Sequence, residues 1–407
     1  MTYYIDPGTG SMLFTILIGV ISAAVYGAKN LFIKLRFSLS GGKVKDTKTN
    51  NTPLVLFSEG RRYATVFEPI CAELEKRQIP AVYMTADPND PILTDKEYKT
   101  LKTQFIGEGN RAFAKLNMLK ADIVLATTPG LDVYQWKRSR DVKYYVHIFH
   151  ACSDVTLYKM FGIDYYDALL LSGDYQIDQI RKLEALRNLP AKDLQIVGQP
   201  YMDVLLERKL KETKEGGSNK TVLIAPSWGE SSVLKKYDGI IDKIKETGYD
   251  VIVRPHPQSY VSELDFITKL QDKYPDIEFN RDADNFDVLS KNDILISDFS
   301  GVMFDFALVF DKPVIYTAPE NFDSAPYDAY WLDEPLWVHK SLPLLGKELN
   351  NDNFSDIKQL IDDCLTDQSF ATYRDRARNE TWQNIGHSSE LIVDYLENKL
   401  KEINEQD

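Results

Sequence analysis

Two histidines and one serine-rich turn stand where a sequence of this kind could do chemistry. His150 follows the apolar run Tyr144-Tyr145-Val146-His147-Ile148-Phe149 and opens the small polar stretch His150-Ala151-Cys152-Ser153-Asp154. Strand alternation puts His147 within the strand and His150 at its end, so His147 reads as a packed imidazole and His150 as a candidate site residue. His256 lies in Arg254-Pro255-His256-Pro257, directly after the run Asp250 to Val253. Two prolines remove backbone donors and fix φ, which makes this a rigid corner presenting Arg254 and His256 at a strand end. The third stretch is Ser297-Asp298-Phe299-Ser300-Gly301, between the apolar run Asp293 to Ser297 and a helix marked by Val302, Phe306, Val309 and Phe310. Lys312-Pro313 stops that helix before the strand Val314 to Tyr316. A strand that feeds a helix through a hydroxyl-rich turn points N–H groups and a positive dipole end at the sheet's carboxyl edge, where phosphates are held. The plainer alternative is that Ser and Asp here only cap the helix.

The elements around these residues alternate short apolar strands with helices. Pro53 to Ser58, Ala81 to Met84, Asp122 to Ala126, Tyr144 to Phe149 and Asp167 to Leu171 read as strands of one sheet, with Glu68 to Gln78 and Arg111 to Leu119 as helices. Leu194 to Pro200 closes this half, with Asp203 near the start of the next helix. Lys209 to Lys220, with Gly216-Gly217-Ser218 in a charged run, is the expected linker. Thr221 to Ala225 then starts a second series, whose first loop is Pro226-Ser227-Trp228-Gly229-Glu230-Ser231-Ser232. Three helices from about Asn353 to Glu402 end the chain. Such alternation predicts an α/β protein with two Rossmann-like parallel sheets.

The 407 residues suffice for two cored domains, and a net charge of −13 argues against nucleic-acid binding. Three widely spaced cysteines, Cys71, Cys152 and Cys364, give no disulfide framework. Met12 to Ala28 carries no charge and is about the minimum length of a bilayer span. Lys29, Lys34, Arg36, Lys43, Lys45 and Lys48 follow it, which predicts a single anchor with its basic flank, and everything after it, in the cytoplasm.

Taken together, Gly198-Gln199-Pro200 with Asp203, Arg254-Pro255-His256-Pro257, Ser297-Asp298-Phe299-Ser300 with Phe304-Asp305 and Lys312-Pro313, and Gly386-His387-Ser388-Ser389-Glu390 resemble the CDP-glycerol glycerophosphotransferases of teichoic acid synthesis. The resemblance covers roughly Tyr144 to Asn398 and implies two facing Rossmann-like domains of the GT-B type. With the anchor and linkers read from composition above, the chain divides into a short outer segment 1–10, a transmembrane helix 11–33, a basic linker 34–52, an acceptor domain 53–208, a linker 209–220, a nucleotide-donor domain 221–385 and a C-terminal helix 386–407. The family carries Trp-His-Gly-Thr where this chain has Phe149-His150-Ala151-Cys152, and a second serine where this chain has Gly301.

What the resemblance implies is transfer of glycerol phosphate from CDP-glycerol, or a similar CDP-polyol, to a hydroxyl of a lipid-linked acceptor at the membrane. His150 would take the acceptor proton while His256 and Arg254 stabilise the pyrophosphate and departing CMP, although the two histidines could exchange roles. Ser227, Ser297, Asp298, Ser300 and Gly301 would form the donor phosphate cradle, with Gly198, Pro200 and Asp203 as structural or site-edge residues. Asp282-Ala283-Asp284 has the Asp-x-Asp form by which some transferases hold Mg2+, although acidic pairs in loops are common. A nucleotide-sugar glycosyltransferase and a tethered nucleotide- or polymer-binding protein without turnover would share most of these features.

Overall fold

The computed structural model describes residues 52–95, 97–212, 219–282, 284–298, 300–318, 323–332 and 334–406. The expected outer segment, transmembrane helix and basic linker therefore lie outside the described residues. Among the described residues no helix is long and apolar enough to cross a membrane.

Two all-parallel sheets organise the chain. The first contains β1 (Thr52–Ser58), β2 (Val82–Thr85), β3 (Lys102–Phe105), β4 (Lys120–Ala126), β5 (Asp141–Ile148), β6 (Ala168–Leu171) and β7 (Asp193–Ile196), in the order β3-β2-β1-β4-β5-β6-β7. The second contains β8 (Thr221–Ile224), β9 (Asp250–Val253), β10 (Glu278–Phe279), β11 (Ile294–Ser297), β12 (Val314–Tyr316) and β13 (Gly346–Glu348), in the order β10-β9-β8-β11-β12-β13. In each sheet the winding reverses beside its first strand, between β1 and β4 or between β8 and β11. Diverging connections leave a crevice at the carboxyl ends of such a pair, and that is where open α/β sheets bind ligands.

Burial on both faces explains why these strands read as unbroken apolar runs. Leu54 and Leu56 of β1 pack with the Ala64–Lys76 helix, whereas Val55 and Phe57 face Ile106, Val124 and Trp136. β8 is split the same way, with Val222 and Ile224 on one side and Leu223 on the other. The polar edge strand β3 and the three-residue β13 fall outside the sequence expectation, because neither is long or apolar enough to carry a period-2 signal.

Several boundaries differ from expectation. The Pro200–Lys211 helix runs through the first residues of the expected 209–220 linker, since Lys209 anchors to the carbonyl of Val309 at 2.9 Å. The helix after the Ser297–Gly301 turn is a short α-turn, Val302–Phe304, continued by a π-helical segment, Asp305–Val309, all five of whose residues are buried. The last helix, Ser388–Gln406, leaves the second sheet and packs Ile392, Val393 and Leu396 into the core of the first.

Candidate functional site

At the β8/β11 reversal the sequence-predicted cradle divides into buried supports and open residues. Ser297 is fully buried, and its Oγ donates to the Ala225 carbonyl at 2.6 Å. Asp298 is also buried, and its carboxylate accepts the N–H of Ser227 at 2.9 and 3.1 Å and that of Val233 at 2.9 Å. Both of these expected phosphate contacts are thus engaged within the protein. Ser297 ties the ends of two strands together, and the Asp298 carboxylate is engaged by backbone donors. What Asp298 does is clamp the Ser227 loop across the reversal point. Ser300 and Gly301 remain at the open end, and their carbonyls accept the N–H groups of Met303 and Phe304 at 3.1 and 3.0 Å. Gly301 has an ordinary helical φ of −57°, and a Cβ added there meets nothing within 4 Å. No backbone requirement therefore explains the glycine.

The strand next to β8 delivers Arg254 and His256. Arg254 bonds Asn280 and Asn285 through its guanidinium and donates to the Asp282 carbonyl at 2.8 Å. These bonds hold the β10 loop against β9. His256 is different. Its Nδ1 accepts the Gln258 N–H at 3.1 Å, which fixes the neutral tautomer with the proton on Nε2. Half-burial lowers the pKa of this ring, opposed by the nearby Asp298 carboxylate. It can therefore donate from Nε2 without carrying a charge.

At the carboxyl end of β5 in the first sheet, His150 stands edge-on to Tyr63 with ring centres 5.2 Å apart, and the Arg62 guanidinium lies 4.7 Å from the centre of the Tyr63 ring. Its Nδ1 is buried without a hydrogen-bond partner among the described residues. Burial, helped by the Arg62 charge, pushes the imidazole down to about 4, so it is an uncharged ring at neutral pH. His147 is fully buried and bonds Tyr158 at 3.1 Å, as a packed imidazole should. Arg62 and Tyr63 escaped the sequence reading. The signal was Gly60-Arg61-Arg62 after β1, a basic turn at the carboxyl end of a central strand.

Gly198, Pro200 and Asp203, expected as structural or site-edge residues, form a joint. The Asp203 carboxylate accepts the N–H of Gly386, the N–H of Ser388 and the Trp382 indole N–H, each at 2.9 Å. A Cβ on Gly198 would lie 2.3 Å from the Gln383 carbonyl and 2.6 Å from Ser388 Oγ. Two motifs nearly two hundred positions apart are thus one contact that returns the last helix to the first sheet. Nearby, Tyr201 donates to Asp305 at 2.5 Å, and burial pushes the Asp305 carboxyl up to about 7.

The Asp-x-Asp stretch does not fit a divalent cation. Asp284 caps Phe286 N–H at 2.9 Å and pairs with Arg208, and Asp282 accepts from Asn280 at 2.8 Å. Among the described residues no group of three or more His, Cys, Asp or Glu side chains converges as a ligand set.

A sequence model of the family described as CDP-glycerol:poly(glycerophosphate) glycerophosphotransferase matches residues 54–397. A teichoic acid ribitol-phosphate primase of Bacillus spizizenii is 26% identical over 160 residues, covering 37% of this chain and 35% of that protein. The match therefore spans about a third of the relative's length. Among solved structures, the wall teichoic acid polymerase TagF superposes with a TM-score of 0.57 at 16% identity, over 95% of this chain and 98% of that one. A UDP-GlcNAc 2-epimerase from Neisseria meningitidis superposes with a TM-score of 0.53 at 14% identity, over 85% and 99%. At these identities the likenesses carry the fold.

Proposed function

Because this chain belongs to the CDP-glycerol:poly(glycerophosphate) glycerophosphotransferase family, we propose that it moves glycerol phosphate, or a related polyol phosphate, from a CDP-activated donor to a hydroxyl of a lipid-linked or cell-envelope acceptor. The acceptor oxygen attacks the phosphorus that bears the polyol. The bond from that phosphorus to the bridging oxygen breaks, CMP leaves with the electron pair, and the acceptor proton passes to His150. Such a transfer asks the protein for positioning, charge stabilisation and a base, with no covalent intermediate.

The observation that carries this reading is the difference at Nδ1 between the two histidines. His150 Nδ1 is buried without a hydrogen-bond partner among the described residues, whereas His256 has its Nδ1 lone pair engaged and presents an Nε2–H. That difference favours His150 as base and His256 as the donor to the pyrophosphate or departing CMP. Ser227, Ser300 and the backbone at Gly301 complete the donor side. In this reading 53–208 serves the acceptor and 221–385 the donor. Residues 11–33 anchor the chain in the cell membrane with both domains on the cytoplasmic side, as the basic flank after Ala28 favours.

Full-length protein in detergent, incubated with CDP-glycerol, CDP-ribitol and UDP- or GDP-sugars together with membrane extract, tests the proposal. CMP release from a CDP-polyol is expected. Release of UDP or GDP alone would move the chain to the glycosyltransferases, and ligand binding without any nucleotide release would make it a non-catalytic binder.

A further inference from the structure

The chain has five tryptophans, and four of them are tied into the protein. Trp136 is buried against Phe57, Tyr145 and Tyr166. Trp331 packs with Phe161 and the Arg187 guanidinium. Trp337 donates its indole N–H to Glu380 at 3.1 Å, and Trp382 donates to Asp203 at 2.9 Å. Trp228 is 53% exposed, and among the described residues its indole has neither a hydrogen bond nor a ring or cation contact.

The loop that carries it is not loose. On one side Ser227 N–H is held by Asp298, and on the other Gly229 N–H donates to Glu263 at 3.2 Å. Glu263 is itself fixed by Lys235 at 2.6 Å, and Gly229 adopts φ +95°, a turn that side-chain-bearing residues resist. Two buttresses therefore hold a large apolar ring out into water, at the carboxyl end of β8 and directly at the reversal point of the second sheet. The same Asp298 clamp joins this loop to the Ser300–Gly301 turn. A rigid aromatic face displayed beside a phosphate-type turn suits a ligand with a flat ring one sugar away from its phosphates.

We propose that Trp228 is the stacking platform for the nucleobase of the donor, a role that rests on the nucleotide-donor reading above. A polyol offers no planar face to an indole, whereas the cytosine ring does, and base–aromatic stacking makes a measurable share of nucleotide affinity.

The test is titration of full-length protein in detergent with CMP, followed by calorimetry and by tryptophan fluorescence. Trp228→Ala is expected to weaken CMP about tenfold or more and to abolish most of the fluorescence change, while Trp228→Phe retains most of the affinity. Inorganic pyrophosphate, used as a competitor that lacks a base, should bind wild type and Trp228→Ala alike. With CDP-glycerol, the alanine variant should raise KM and leave kcat nearly unchanged. Undiminished CMP affinity in a Trp228→Ala protein that melts like wild type would overturn the platform and leave the donor reading standing. So would equal losses of CMP and pyrophosphate affinity, or a phenylalanine variant no better than alanine. Absence of CMP binding by wild type would instead overturn the donor reading itself.

Discussion

The Nδ1 atom of His256 accepts the backbone N–H of Gln258, two residues further along the same turn, at 3.1 Å. While that bond stands the ring cannot take a second proton, and its chemistry is confined to donation from Nε2. Replacement by alanine should lower kcat about a hundredfold or more, the usual worth of one preorganised donor at a centre of developing charge. His256→Gln keeps an N–H donor and should recover part of the loss. Near-normal turnover of the purified alanine variant would remove His256 from the mechanism.

As the proposed base, His150 should set the acid limb of the pH profile. Its ring is pushed down to about 4 by burial and by Arg62, so kcat/KM should stay flat well below pH 6.5 instead of breaking there. Arg62→Gln removes the repelling charge and should move the break upward. The sign for stability follows from the same displacement: the folded value lies below the unfolded one, so the neutral ring's contribution is complete above pH 6.5. It drains away as the pH falls from there towards 4. Denaturant midpoints of wild type and His150→Gln between pH 7.5 and 4.5 would show wild type losing the more. A kinetic break near 6.5 in wild type would contradict the assignment.

Asp203 holds three donors from the 382–388 segment. Asp203→Ala leaves them without their acceptor and should cost at least about 2 kcal/mol, since each stranded donor loses its bond and part of its solvation. A lower urea midpoint and early proteolysis between Trp382 and Ser388 are the expected readouts. If only activity fell while both readouts matched wild type, Asp203 would belong to the site and not to the joint.

Gly301→Ser should be nearly silent in the fold and audible at the donor. The position is exposed, its φ is −57° and a Cβ there has open space, so the unfolding free energy should move by no more than about 0.5 kcal/mol. A hydroxyl at the mouth of the donor turn should lower KM for CDP-glycerol. Unchanged donor kinetics would place Gly301 outside the donor's reach.

Much of the architecture was legible in the chain because two-sided burial writes itself locally. Parallel strands covered on both faces must be short apolar runs, and runs such as PLVLFS, TVLIA and DILIS announce them one after another. His150 and His256 could be placed at strand ends for the same reason. Which side chains at those ends face a ligand depends on neighbours that are far away in sequence. Ser297 reads as a phosphate donor, yet its hydroxyl donates to the carbonyl of Ala225, seventy-two positions earlier. Asp298 and Arg254 were likewise claimed by Ser227 and by Asn280 and Asn285. Strand order decides this, because pairing β8 with β11 puts the Ser227 and Asp298 loops side by side, and no local pattern encodes that pairing. The resemblance between motifs could mark Gly198, Asp203 and Ser388 as important, yet only the path of the last helix back to the first sheet shows that they meet. A residue's type limits what it can donate or accept, and the fold decides which of those capacities the protein uses up for itself.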